Sequence, residues 1–367
     1  MNLINSALDL SFEELKTFIT DKMGEKPFRA AQIFSALHKG LDFCDMTDIP
    51  KDMRENLSGC FFAQSVRIVK SVKSADGTEK FLFALYDGNL VEGVLMKYKY
   101  GYTLCVSTQV GCRMNCAFCA SGIGGLVRNL TSGEILGEVI AVNARLGGGL
   151  SEERKVINVV MMGSGEPLDN YVESVKFIRS LSDARGINIS QRNVSLSTCG
   201  LVPAMLRLAE EKVSVNLTVS LHSPFDEERK RIMPIAKSYT IKDILSACSF
   251  YFEKTGRRYI FEYVLIKGEN DTARHADELI KLLKGKPCHL NLIRLNEVKG
   301  KGLKGVTEKE AYRFLGILEK GGLSATLRRK MGEDIDGACG QLRRRYVEEI
   351  SGENKNPAIL KADDKDF

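Results

Sequence analysis

No stretch of this chain is apolar for anything near the roughly 20 residues that a membrane-spanning helix needs, which argues against a membrane span. The N-terminus, Met1-Asn2-Leu3-Ile4, has no basic region followed by a long apolar one, which argues against a secretory signal. Tryptophan is absent from the 367 residues, and this excludes nothing. A strong excess of one charge is also missing: the net charge is +6, too small to name a polyanionic partner by itself. We therefore expect a cytoplasmic protein with no membrane partner. In that compartment its ten cysteines are expected as thiols or metal ligands, not as a disulfide framework.

What is present is an ordinary globular composition, 44% hydrophobic with a mean hydropathy of −0.14. The length suits one main domain with a smaller accessory one. Basic residues gather in places: Lys97-Tyr98-Lys99-Tyr100, which interleaves stacking and phosphate-binding side chains, then Lys299, Lys301 and Lys304, then Arg328-Arg329-Lys330 and Arg343-Arg344-Arg345. Any one cluster is commonly a solvated face, but together they fit a polyanionic substrate whose binding weakens with salt.

Residues 1–60 read as a helical accessory domain. Ser11-Phe12-Glu13-Glu14 is a capping box opening an amphipathic stretch, and a second helix is expected to start near Pro27. Residues 61–98 read as a small β-meander linking region, with hairpin turns at Asp76-Gly77 and Asp87-Gly88. From 99 to 349 strand-like runs alternate with helical segments, several opened by Thr131-x-x-Glu134, Thr240-x-x-Asp243 and Thr307-x-x-Glu310. About six βα units argue for a parallel α/β core, as an open barrel or a doubly wound sheet; we expect the partial, open β/α barrel. Residues 350–367 read as a disordered tail.

Cys112, Cys116 and Cys119 form a C-x3-C-x2-C triad with no fourth ligand nearby. Structural zinc sites are normally closed by four ligands, and four-iron clusters usually take four cysteines. Three thiolates on a cubane leave one iron open to a substrate. The triad resembles that of radical S-adenosylmethionine (SAM) enzymes. Other unusual residues follow the strand-like runs, where parallel α/β folds place their sites: Gly165 and Glu166, Ser197, Ser220, Leu221 and His222, and Asn296.

Around these positions the chain is similar to the bacterial dual-specificity ribosomal and transfer RNA adenine-carbon-2 methyltransferase family. The matching text includes Val91 to Met96, Cys105 to Cys112, Gly165-Glu166-Pro167-Leu168 and Asp334 to Leu342. Ser164 stands where methionine is expected and Gly337 where alanine is expected. The resemblance implies a [4Fe-4S] cluster on Cys112, Cys116 and Cys119 and two SAM molecules per turnover. Cys339 would take a methyl group by displacement. A radical generated from the second SAM would then activate that methyl for addition to carbon 2, leaving the RNA attached to the protein. Cys105 would release Cys339 through a transient disulfide. Glu92 is the implied proton acceptor, with Glu92 and Cys105 both open for the carbon-2 proton. Gly165, Glu166, Ser197, Ser220, Leu221, His222 and Asn296 would surround SAM. The implied partners are 23S rRNA, tRNA and an external electron donor such as flavodoxin or ferredoxin, for a monomeric enzyme.

Seen without the family, Glu92 reads as an exposed strand carboxylate, Cys105 and Cys339 as buried apolar thiols, and His222 as a satisfied core histidine. The rival activities are methylation of adenine carbon 8, a non-catalytic iron–sulfur RNA-binding or redox sensor, and a zinc protein.

Overall fold

The computed structural model describes residues 6–148, 154–298 and 300–335. Lys299, Gly337, Cys339, Arg343 to Arg345 and the expected tail at 350–367 lie outside the described residues.

Three helices lead the chain: α1 (Phe12–Thr17), α2 (Phe28–His38) and α3 (Lys51–Ser58). The Ser11 hydroxyl accepts the Glu14 N–H while the Glu14 carboxylate accepts the Ser11 N–H at 2.7 Å, which satisfies two donors that a helix start leaves open. Phe12 packs edge-on against Phe34 at 5.6 Å, and Leu15, Ile33 and Leu37 are fully buried.

Strands β1 (Val66–Lys73), β2 (Glu79–Leu85) and β3 (Leu90–Tyr98) follow, turning at the two Asp-Gly pairs. They do not stand apart from the core. β3 pairs antiparallel with β4 (Gly101–Cys105), so the meander extends the main sheet. Next come a two-stranded clasp, β5 (Gln109–Gly111) with β6 (Leu126–Asn129), and then α4 (Ser132–Arg145), β7 (Val156–Met161), α5 (Tyr171–Leu181), β8 (Val194–Thr198) and α6 (Val202–Glu210). The remainder is β9 (Asn216–Ser220), α7 (Asp226–Ile232), α8 (Ile241–Thr255), β10 (Tyr259–Leu265), α9 (Ala273–Leu283), β11 (Cys288–Arg294), α10 (Glu308–Lys320) and β12 (Ala325–Leu327). All three threonine caps form as their sequences imply.

The ten-stranded sheet runs in the order β1-β2-β3-β4-β7-β8-β9-β10-β11-β12. From β4 to β12 every neighbouring pair is parallel. Each strand lies beside the one before it, the winding of a β/α barrel, but β1 and β12 end the sheet without pairing to each other, so the barrel is open. Val159, Leu196, Leu217, Phe261 and Leu292, one from each of β7 to β11, are fully buried. That apolar burial is the main source of its stability.

Candidate active site

The β5–β6 clasp closes the loop that carries the three cysteines. The Cys112 N–H donates to the Gly125 carbonyl at 3.0 Å, and the Ala117 N–H donates to the Ile232 carbonyl at 2.8 Å. Asn115 takes a left-handed conformation, φ 48°, which Asn tolerates better than most residues. Arg113 forks onto the Asp169 carboxylate. That carboxylate also accepts from Gln109 Nε2 at 2.9 Å, while Gln109 Oε1 accepts the Glu166 N–H at 2.9 Å. One glutamine thus joins the cysteine loop to the turn after β7.

That turn needs a glycine at 165. Its φ is +111°, and a Cβ there would lie 2.7 Å from Thr108 Oγ1 and from Gln109 Cβ. The neighbouring Ser164 works through its backbone. Its carbonyl accepts from the Thr108 and Gln109 N–H groups and its N–H donates to Ser107 Oγ, so a serine where methionine was expected keeps those bonds.

A cavity of about 210 Å³ lies beside this loop, and Cys112, Cys116, Cys119, Gly165, Glu166, Ser197, Ser220 and His222 all line it. Glu166 is buried; its carboxylate accepts the Cys199 N–H at 2.7 Å and the Leu168 N–H at 3.1 Å, while desolvation raises its pKa above the usual carboxylate range. His222 accepts the Val264 N–H at Nδ1, 3.0 Å. This fixes the proton of the neutral ring on Nε2. Burial, then the Arg229 charge, pushes its pKa down to about 3, so the ring is a neutral donor, set edge-on to Phe118 at 4.8 Å. Leu221 is fully buried and does not line this cavity; its carbonyl accepts from Arg229 Nε.

A second cavity, about 260 Å³, adjoins the first and shares Phe118, Cys119, Met162, Val264 and Ile293 with it. Cys105 and Asn296 line this one. Asn296 is therefore placed across the shared wall from most residues with which sequence grouped it. Tyr98, Arg328, Arg329 and Lys330 also line this second cavity, which unites two basic segments far apart in sequence. The Tyr98 ring stacks on the exposed Tyr100 at 5.1 Å.

Glu92 departs from its plain strand reading. It is buried, not exposed, and pairs with the fully buried Lys80 at 3.1 Å. It shares its strand face with Val94, Met96 and Tyr98, which line the Cys105 cavity, but it is not itself in that lining.

Two side chains escaped sequence reasoning. Glu262 is buried in the wall of the first cavity, and desolvation raises its pKa. Arg229 is fully buried on α7 and donates to the carbonyls of Leu221 at 3.1 Å, Cys199 at 2.7 Å and Ser220 at 3.1 Å. It braces two of the strand ends that form the site. Arg229→Met would leave three buried carbonyls without that donor and should destabilise the protein by about 3 kcal/mol. Urea unfolding reads this, and an unchanged midpoint would refute the bracing role.

The triad fits a cluster better than a lone ion. Among the described residues no three Cys, His, Asp or Glu side chains converge on a point that could hold one metal ion. A four-iron cubane asks for no such point, because each iron takes its own thiolate. Burial pushes the Cys112 thiol up to about 11 and raises Cys116 further. As thiolates in so buried a place they would need a cationic partner, which the iron of a cluster would supply.

Comparison with known proteins agrees with this geometry. The family pattern of the radical SAM superfamily matches residues 106–283, and that of the ribosomal RNA large subunit methyltransferase N-terminal domain matches residues 2–62. The probable dual-specificity RNA methyltransferase RlmN of Clostridium novyi is 48% identical over 349 residues, 94% of this chain and 98% of its own. Its counterpart from Lachnoclostridium phytofermentans is 50% identical over 350 residues, 95% of this chain and 96% of its own. A crystal structure of a radical SAM methyltransferase from Sphaerobacter thermophilus superposes with a TM-score of 0.88 at 40% identity, covering 92% of this chain and 99% of that one.

Proposed function

Because this chain belongs to the dual-specificity RNA methyltransferase family of the radical SAM superfamily, we propose that it methylates carbon 2 of an adenine in 23S rRNA and in tRNA. The observation that carries this reading is the pair of adjoining cavities: one holds the cysteine triad, and the other holds Cys105 beneath a basic, aromatic rim. When bound, the [4Fe-4S] cluster and SAM supply the methyl group and the one-electron chemistry that an electron-poor carbon requires.

The chain's own residues do the rest. Cys112, Cys116 and Cys119 hold three corners of the cluster. Gly165, Glu166, Ser197, Ser220 and the Nε2 proton of His222 surround the SAM nucleoside and its amino-acid end, Leu221 contributes backbone, and Asn296 reaches from the second cavity. The adenine enters that second cavity past Tyr98, and Arg328, Arg329 and Lys330 meet its phosphates, while the helical module of residues 1–60 grips the folded RNA by shape.

Cys339 carries the methyl group and, once a hydrogen atom has left that methyl for a SAM-derived radical, would become joined to carbon 2 through it, the adduct then giving up one electron along with the carbon-2 proton. Once the carbon-2 proton has left, the Cys105 thiolate attacks the Cys339 sulfur. The sulfur–sulfur bond forms as the carbon–sulfur bond breaks, and its electron pair stays on the departing carbon, which takes up a proton to become the methyl group. Cys105 lines the cavity and Glu92 does not, so Cys105 meets the base and Glu92 acts from behind it. A flavodoxin or ferredoxin supplies electrons to a monomer working in the cytoplasm. No described helix is long and apolar enough to cross a membrane.

Expression in a host lacking its own such methyltransferase, followed by nucleoside mass spectrometry of rRNA and tRNA, tests the reading. 2-Methyladenosine in both RNAs is expected; 8-methyladenosine in its place, or no new methyladenosine, would overturn it.

A further inference from the structure

The turn between β1 and β2 (Ser74 to Thr78) sits on the chain that leaves the last strand. The Ser74 hydroxyl donates to Asp334 Oδ1, and the Ala75 N–H donates to Asp334 Oδ2 at 3.1 Å. In return the Gly332 N–H donates to Asp76 Oδ2 at 3.0 Å. Asp76 is also held on its own side: its Oδ1 accepts the Thr78 N–H at 2.8 Å. Bonds to ionised acceptors are the stronger kind, and those bonds outweigh desolvation at Asp76, lowering its pKa to about 2.

The fit is close as well as polar. Gly332 has φ +64°, and a Cβ there would come within 3.3 Å of the Thr78 and Ile335 side chains. Neither Ser74 nor Asp334 belongs to the cluster or SAM machinery, and a hairpin tip needs no carboxylate from 260 residues away.

The position explains the investment. Thr78 at the end of the turn and Met331 on the anchored segment both line the cavity that holds Cys105. Cys339 follows Asp334 by five residues, a tether of at most roughly 17 Å. We propose that the β1–β2 turn is a docking anchor for the Cys339 segment, with Ser74, Asp76 and Asp334 as positioning residues that keep the two reacting cysteines within reach. The proposal rests on the methyl-transfer reading above. Restricting the tether raises the effective concentration of one thiol at the other, which matters for release of the product, a step between two side chains of one chain.

The test uses full-length, cluster-loaded protein without oxygen, with glutathione disulfide as oxidant. Two thiols give up two protons and two electrons, and one glutathione disulfide becomes two glutathione molecules. Mass spectrometry follows the Cys105–Cys339 disulfide in the fraction whose Cys339 is unmethylated. Asp334→Ala and Ser74→Ala should each slow its formation by about tenfold, with faster hydrogen exchange across residues 328–335. Ser74→Thr, which keeps the hydroxyl, should restore the rate. In turnover, the two alanine variants should release more 5′-deoxyadenosine per methylated adenosine, at an unchanged thermal midpoint. Unchanged disulfide rates would overturn the anchor. So would a Ser74→Thr variant as slow as Ser74→Ala, since general loosening would then explain both. If wild type formed no methyladenosine while the alanine variants still slowed the disulfide, the function reading would fall and the anchor would stand.

Discussion

Cys105→Ala should stop turnover after the RNA has become attached to Cys339. Cys105 is 7% exposed at the end of β4, registered against Val94 on one side and Val160 on the other. It lines the second cavity, the one proposed above to receive the base. Removing one sulfur from such a site should cost only about 1 kcal/mol of stability, so the variant should fold. What it loses is the nucleophile proposed to open the last carbon–sulfur bond, and no other described cysteine outside the triad lines that cavity. Release of methylated RNA should fall by at least ~1,000-fold, while a covalent RNA–protein species builds up to about one per chain. A denaturing gel with labelled RNA shows both. Free methylated RNA at close to the normal rate, with no shifted band, would remove Cys105 from the mechanism.

The second large effect is expected at Lys80. Its ammonium is fully buried and lies 3.1 Å from the Glu92 carboxylate, itself 4% exposed. Two charges taken out of water are tolerable only together. Lys80→Met takes the ammonium away from a buried carboxylate and should destabilise the protein by about 3–5 kcal/mol. Lys80→Met combined with Glu92→Leu removes both charges and should regain most of that loss, yet stay inactive if Glu92 serves the chemistry. Denaturant unfolding and the methylation assay separate the two effects. A double variant as unstable as the single one would show that the pair is not the cause, and an active one would show that Glu92 has no chemical part.

These two sites also mark the limit of what the chain discloses before folding. The caps at Thr131, Thr240 and Thr307, the Asp-Gly turns and the parallel order of the core all follow from local chemistry and were legible. Glu92 was not, because strand residues 90–96 are all buried. A sheet covered on both faces loses the alternation that separates inside from outside. Arg229 was hidden for the opposite reason. It sits in Asp226-Glu227-Glu228-Arg229-Lys230-Arg231, which looks like a solvated helix face, and only packing reveals that one of these six charges lies beneath the strand ends. Asn296 shows a third limit: a position at a strand end places a residue at the site, but not on which side of a wall between two cavities.

The bond from Ser74 to Asp334 spans 260 positions, and this bears on the order in which the molecule is assembled. Contacts between remote parts of a chain pay their loop-closure entropy late. This one cannot close until both ends of the open sheet exist and have been brought face to face by everything between them. A chain still being synthesised therefore has a finished triad loop long before Asp334 is seated on the β1–β2 turn. The stretch from Gly332 to Ile335 comes into place last, on a body that is already complete.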